Sequence, residues 1–323
     1  MPFPVAGSPY GANAANPSYS ASGFIHEIWS GKLIEKFYAS TVLSAISNTD
    51  YEGEIKNQGD KVKIRTKPTI TINDYSADMS LALQRPSGNV IDLAIDQGKY
   101  FNTILDDVMD VQSDLNMLSM WSDDAAEQMK IVIDTAVLKG ILGGADAKNK
   151  GATAGKISSS LNLGVTSTGP LAVTAAAAAG KVDILSLLLR LGQALDEQNI
   201  PETGRWVVLP TWAATLIKQS ELRQAYLSGD GVSILRNGRL GMVDRFTIYT
   251  SNLLPTGVAG GMAAGEYAIY AGHAHGLTFA SQVSKVETLR SEMTFGTVLR
   301  GLQVYGYKVI DGTAIAQAIV TVG

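Results

Sequence analysis

Asp106, Asp107 and Asp110 stand in the string DDVMD, the DDxxD spacing with which some all-helical enzymes hold a magnesium diphosphate. That chemistry needs a second metal-binding motif, and none is seen in a chain otherwise rich in strand patterns. The three acids sit where a helical pattern begins, and a helix dipole favours acids there. They read as helix-start acids. GATAGK, Gly151 to Lys156, resembles a phosphate loop, but three residues separate its glycines where four are needed. Ile157 also replaces the Ser or Thr, and a helix rather than a strand precedes it. GVAGGMAAG, Gly257 to Gly265, lacks both the GxGxxG spacing and a lysine. GHAHG places His273 and His275 on one side of an expected strand, as two ligands would be. A zinc site needs at least a third ligand, yet the one other histidine is His26 and the chain has no cysteine. Three histidines and no GxSxG leave little material for a Ser-His-acid triad. The residues predict no enzyme, no metal site and no cofactor. The competing enzymatic reading is an aspartate-dependent magnesium enzyme acting on diphosphates.

The 323 residues suffice for one large domain or two to three small ones. Charged residues are 17% of the chain, below the roughly 25% usual for soluble domains. A chain this poor in charge hides much of its surface against partners. Its net charge of -4 gives it no overall attraction to nucleic acid. The absence of cysteine excludes disulfides and fits a reducing cytosol. Residues 1–23 have no Lys or Arg and no long apolar run, so they do not read as a secretory signal. No window approaches 18 uncharged apolar residues, so no membrane-spanning helix is expected.

The elements that would have to position any site begin with a flexible arm and a short amphipathic helix over 24–39. GDKVKIRTKPTITIND follows, from Gly59 to Asp74. Val62, Ile64, Ile70 and Ile72 alternate in it with Lys61, Lys63, Arg65 and Lys67. This period of two predicts a strand with one apolar and one basic face, about 40 Å long. In NVIDLAIDQG, Ile91, Leu93 and Ile95 alternate with Asp92 and Asp96. The two strands predict a long hairpin whose basic and acidic faces oppose each other, each pair contributing about 0.2–1 kcal/mol. A two-stranded hairpin is marginal alone, so its apolar face needs cover, and a neighbouring subunit is the simplest cover.

From Ile104 to about Ile141 the period becomes helical, with Val108, Val111, Leu115, Leu118, Ala125, Met129, Val132 and Ala136 as its stripe. Residues 145–180 are rich in Gly, Ala, Ser and Thr and read as a loop or weak strands that mark a boundary. Beyond Lys181 the chain turns α/β-like. KVDILSLLLRLGQALDEQN predicts a helix and RWVVLP a buried strand. TWAATLIKQSELRQAY predicts a second helix capped by Thr211, and RFTIYTSNLLP a strand. The last sixty residues alternate as strands, punctuated by Gly296, Gly301, Gly306 and Gly312.

In this order, arm, charged hairpin, long helix, low-complexity segment and α/β unit, the chain resembles the major capsid proteins of tailed bacteriophages. The strongest local matches are the strand-Pro-helix of Val207 to Leu216 and the turn with Gly238 and Gly241, followed by a strand, Asn252 and Pro255. The resemblance implies an α+β fold of the Hong Kong 97 type. Residues 1–49 would be the N-terminal arm, and 50–100 the extended loop lying across an adjacent subunit. Residues 101–180 would be the peripheral domain with its spine helix, completed by 282–309. The axial domain would be 181–281, rejoined by 310–323. Lys61, Lys63, Arg65, Lys67, Ile70, Ile72, Asp92 and Asp96 would form the inter-subunit surface, and Gly238, Gly241, Asn252 and Pro255 the axial-domain turn.

The implied function is a shell subunit that forms the pentamers and hexamers of an icosahedral capsid around phage double-stranded DNA. It would assemble in the host cytoplasm, with DNA contacted weakly and non-specifically. Expected partners are other copies, a portal protein and a possible decoration protein. The short arm implies a separate scaffolding protein. No Asn follows Asn252, so the acceptor for a Lys–Asn isopeptide weld in the closing strands is missing and assembly should be non-covalent. A cellular encapsulin shell, which shares the fold, is the alternative.

Overall fold

The computed structural model describes residues 38–50, 61–68, 70–77, 80, 83–88, 90–112, 116–220 and 241–323. Residues 24–37 of the helix expected over 24–39, and the glycine at 238, lie outside them; residues 38 and 39 are not helical.

Strands and helices alternate irregularly along the chain. β1 is Lys61–Arg65, β2 Val90–Ala94 and β3 Gln97–Asp106; β4 is Leu171–Thr174, β5 Val182–Asp183 and β6 Arg205–Leu209. β7 is Met242–Val243, β8 Phe246–Thr250 and β9 Glu266–His273; β10 is Leu277–Arg290, β11 Gly296–Val309 and β12 Ile315–Val322. The helices span Leu43–Ile46, Asp107–Gln112, Met117–Gly140, Ile184–Glu197 and Thr211–Gln219.

Seven strands form one mixed sheet in the order β5-β4-β12-β9-β6-β8-β7. Its strands are apolar on both faces because both faces are covered. Val207, Leu209, Ile269, Ala271, Ala316 and Ala318 point to the side packed with Leu187, Leu191 and Ile217 of two helices. Trp206, Val208, Ala268, Tyr270 and Ile319 point the other way, onto Ile133, Val137 and Leu138 of the long helix and Ile46 of the arm. The helix over Ile184–Glu197 starts where Asp183 accepts the Ser186 N–H at 3.0 Å. Thr211 does not cap its helix as expected. Pro210 holds that position, and the Thr211 hydroxyl donates to Asn252 Oδ1 instead.

Residues 145–180, expected as a loop or weak strands that mark a boundary, hold the short strand β4 and part of the core. Leu163, Leu171 and Val173 of that segment are buried in the seven-stranded core, and β4 runs parallel to β12. A Cβ at Gly164 would overlap the Ile319 carbonyl oxygen of β12, so a small residue here permits close packing.

The helix expected over 104–141 is also corrected. Residues 97–106 form β3, the edge of a three-stranded sheet ordered β10-β11-β3. Tyr100, Asn102 and Ile104 lie opposite Leu302, Arg300 and Val298 of β11. Helix resumes at Asp107, and the long helix begins at Met117, where Asn116 accepts the Ser119 N–H. At 1.5 Å per residue its 24 residues span about 36 Å. Its buried stripe is Ile133, Val137, Leu138 and half-buried Met129, whereas Val132 is 45% exposed. Past Met129 the expected stripe is therefore one residue out of register.

Candidate assembly surface

β1 and β2 pair antiparallel, with Lys63 opposite Asp92 and Ile64 opposite Ile91. Val62, Ile64, Ile91, Leu93 and Ile95 turn inward as the alternation requires, and Lys61, Lys63 and Arg65 turn to solvent. The opposed Lys63 and Asp92 bring the two charge signs onto one face.

The cover of that apolar base comes from the same chain. Ile64 and Leu93 pack with Ala280, Val304 and Ile310. A glycine permits this approach: a Cβ at Gly306 would overlap the Ala94 carbonyl oxygen. The expectation that a neighbour covers the whole apolar face is thus corrected for the base.

The ladder is also shorter than expected. It ends at Arg65, near Pro68, which has no N–H to donate. Lys67 lies on non-strand chain, and Asp96 lies past β2, where it accepts the Gln97 side-chain amide at 3.1 Å. Beyond the ladder the two limbs stay together through Gln84, which accepts the Thr71 N–H at 3.1 Å and donates to the Thr71 carbonyl at 2.7 Å. Ile70 and Ile72 occupy this distal part at 62% and 88% exposed. Nothing in the described chain covers them.

Sequence reasoning missed a second exposed apolar surface. Tyr100, Ile104, Leu289 and Leu302 stand exposed on one face of the three-stranded sheet. Lys285, Glu287 and Arg300 cross the same face as an ion cluster, with Lys285 to Glu287 at 2.7 Å. Those two cations hold the Glu287 carboxyl below its usual range. At the end of that sheet Met293 and Phe295 are exposed beside Val108 and Met109. The alternation of Tyr100, Asn102 and Ile104 was the available signal.

The candidate chemical motifs resolve into structure. Asp106 accepts the Val108 N–H at 3.3 Å, Asp107 forms a two-pronged ion pair with Arg290, and Asp110 is exposed on the short helix. The phosphate-like loop holds an anion of its own: Glu197 accepts the N–H groups of Ile157 and Ser158 at 2.7 and 3.0 Å. Desolvation opposes its charge, but these bonds prevail and hold its pKa down to about 2. His273 ends β9, while His275 lies in the next tight turn, so they do not share a strand face as expected. His275 N–H donates to His273 Nδ1 at 3.2 Å, and burial lowers the His273 pKa. Among the described residues no three His, Cys, Asp or Glu side chains gather as a metal site would need. No described helix is long and apolar enough to cross a membrane.

Of the expected axial turn, Gly241, Asn252 and Pro255 are among the described residues. Gly241 is exposed and leads into a hairpin whose turn is Asp244–Arg245, both at positive φ. Arg245 is fixed there by Asp196 at 2.9 Å and Glu202 at 2.7 Å. Asn252 and Pro255 follow β8, with Pro255 accepting the Ala268 N–H at 3.2 Å.

The fold is similar to that of solved phage and capsid structures. A structure from Mycobacterium phage Che8 matches with a TM-score of 0.74 and 27% identity, over 91% of this chain and 97% of that one. The capsid of Cyanophage P-SCSP1u matches with a TM-score of 0.71 and 14% identity, over 94% and 95%. The capsid of a native GTA particle matches with a TM-score of 0.65 and 14% identity, over 96% and 100%. A search of curated proteins found no match. The architecture defines an α+β shell subunit of the Hong Kong 97-like fold. A sequence model of the phage capsid protein family matches residues 92–318, and the chain belongs to that family. It is a major capsid protein whose place is the virion shell, and the encapsulin alternative is not favoured.

Proposed function

We propose that the distal hairpin of each copy clamps a neighbouring copy within pentamers and hexamers that close into an icosahedral shell around double-stranded DNA. The observation that carries this reading is the exposure of Ile70 and Ile72 on a limb whose base is already packed. Burying two such side chains contributes about 1.5–3 kcal/mol each, and no described residue of the chain supplies the cover. Lys61, Lys63, Arg65, Lys67, Asp92 and Asp96 set the register of the contact by charge.

In this reading the seven-stranded unit is the axial domain, meeting its copies around the symmetry axes near Gly241, Asn252 and Pro255. The three-stranded sheet and long helix are the peripheral domain. The shell assembles in the host cytoplasm with a scaffolding protein and a portal protein, and its surface is open to a decoration protein. The subunit performs no catalysis. With a net charge of -4, contact with packaged DNA is weak and non-specific.

The test replaces Ile70 and Ile72 together with serine and follows assembly by sedimentation and negative-stain electron microscopy. The expected result is a folded subunit with native circular dichroism and at least tenfold fewer closed shells. Normal shells from the double variant overturn the clamp.

A further inference from the structure

Asp134 is 1% exposed on the long helix, facing the N-terminal arm. One carboxyl oxygen accepts the Val42 N–H at 2.8 Å, which seats the short arm helix Leu43–Ile46. The other, Oδ1, accepts no hydrogen bond from the described protein. A cavity of about 410 Å³ adjoins it, lined by Thr41, Ser44, Ser47 and Thr49 of the arm, Phe279 of β10 and Gln303 of β11.

Lys130, one turn earlier on the long helix, is the other charged side chain in this lining. Its side chain is 59% exposed and pairs with Glu127 at 2.6 Å. Among the described residues, the arm, β10 and β11 contribute no titratable group to the cavity. An ionised Asp134 therefore sits buried with no counter-charge and one hydrogen-bond donor among the described residues, an expensive state. The protonated acid removes the charge while Oδ2 keeps the Val42 bond.

We propose that Asp134 is a proton-operated seat for the N-terminal arm, closed firmly when the carboxyl is protonated and loosened when it ionises. Burial pushes the carboxyl pKa up to about 6, against the opposing Val42 hydrogen bond. An opened arm hydrates the group and returns it to about 3.9. The closed state thus binds more protons between those two values, so the arm seat weakens as pH rises from about 4 to about 6. Above about 6.5 the effect is complete and flat. One proton released across that interval changes the opening equilibrium roughly 100-fold. The inference concerns the subunit itself and does not depend on the clamp.

The test measures hydrogen–deuterium exchange of peptides covering 41–50 in the full chain from pH 4.5 to 7.5, corrected for intrinsic exchange. Opening should rise between pH 4.5 and 6.5 by at least tenfold and then level off. Asp134→Asn should remove this dependence and hold the arm closed at pH 7, while Lys130→Met should leave the profile in place. A flat wild-type profile, or a dependence that survives in Asp134→Asn, overturns the proposal. Carboxyl-13C aspartate spectra of the unaltered chain read the same proton without a variant. A buried carboxyl titrating near 6 supports the seat, and no aspartate titrating above 5 overturns it.

Discussion

The Tyr270 hydroxyl donates to the Leu138 carbonyl at 3.0 Å, inside the protein. Tyr270 belongs to the middle of the seven-stranded sheet, and Leu138 to the last turn of the long helix. The end of a helix leaves carbonyls without intrahelical partners. Here the sheet supplies a donor, so one bond ties the two bodies of the subunit. Burial raises the Tyr270 pKa, so the donor stays protonated at any physiological pH. Tyr270→Phe keeps the packing and removes the donor. It should lower unfolding stability by about 1–2 kcal/mol, read from urea midpoints at pH 7.

Gly306 is where β11 passes the connection between β2 and β3. Gly306→Ala puts a methyl group into the Ala94 carbonyl oxygen, a backbone atom that cannot rotate away. The expected cost is about 1–3 kcal/mol. The damage should be local, with exchange protection lost in β1 and β2 before the seven-stranded sheet. Unchanged protection there would show that the approach is not tight.

Glu197 gives the loop at 155–158 an acid-labile pin. Its folded pKa is about 2 and its ordinary value 4.5. A depressed carboxyl contributes stability above the ordinary value and loses it as pH falls through the folded one. Wild type should therefore lose loop stability between pH 4.5 and pH 2. Glu197→Gln should be less stable by about 1 kcal/mol at neutral pH. The two proteins should converge near pH 2, as read by denaturation at each pH.

Assembled shells should dissolve into single chains on boiling in SDS. No Asn follows Asn252, and the closing strands β10 and β11 contain none. Gel bands at multiples of 34.2 kDa after boiling would contradict this.

Much of the fold was legible because it obeys one period at a time. Arg205–Leu209 is buried throughout and reads as an apolar run after its arginine, and Ile184–Glu197 carries a wide apolar stripe. The paired charges of Lys63 and Asp92 were equally readable from alternation. What failed lies where two periods meet. Ile104 fits the spacing of the helix that follows it, yet its backbone partner is Val298, far along the chain. No local pattern contains that partner. The poor register of the long helix has the same origin, because its stripe is decided by the arm and by strands of both sheets. At the assembly surface, the basic and acidic faces were visible but the cover of the base was not. That cover depends on Ala280 and Val304, residues with no local sign of their destination.

The pairing of Asp106 with Gly296 sets a timetable. Roughly 190 residues separate them, and synthesis at about 5–20 residues per second takes on the order of 10–40 s to cover that stretch. Until then β3 has no mate and the hairpin before it has no bed. A nascent chain therefore presents no finished finger to its siblings on the same messenger, and competence to polymerise arrives only after β11 has left the ribosome.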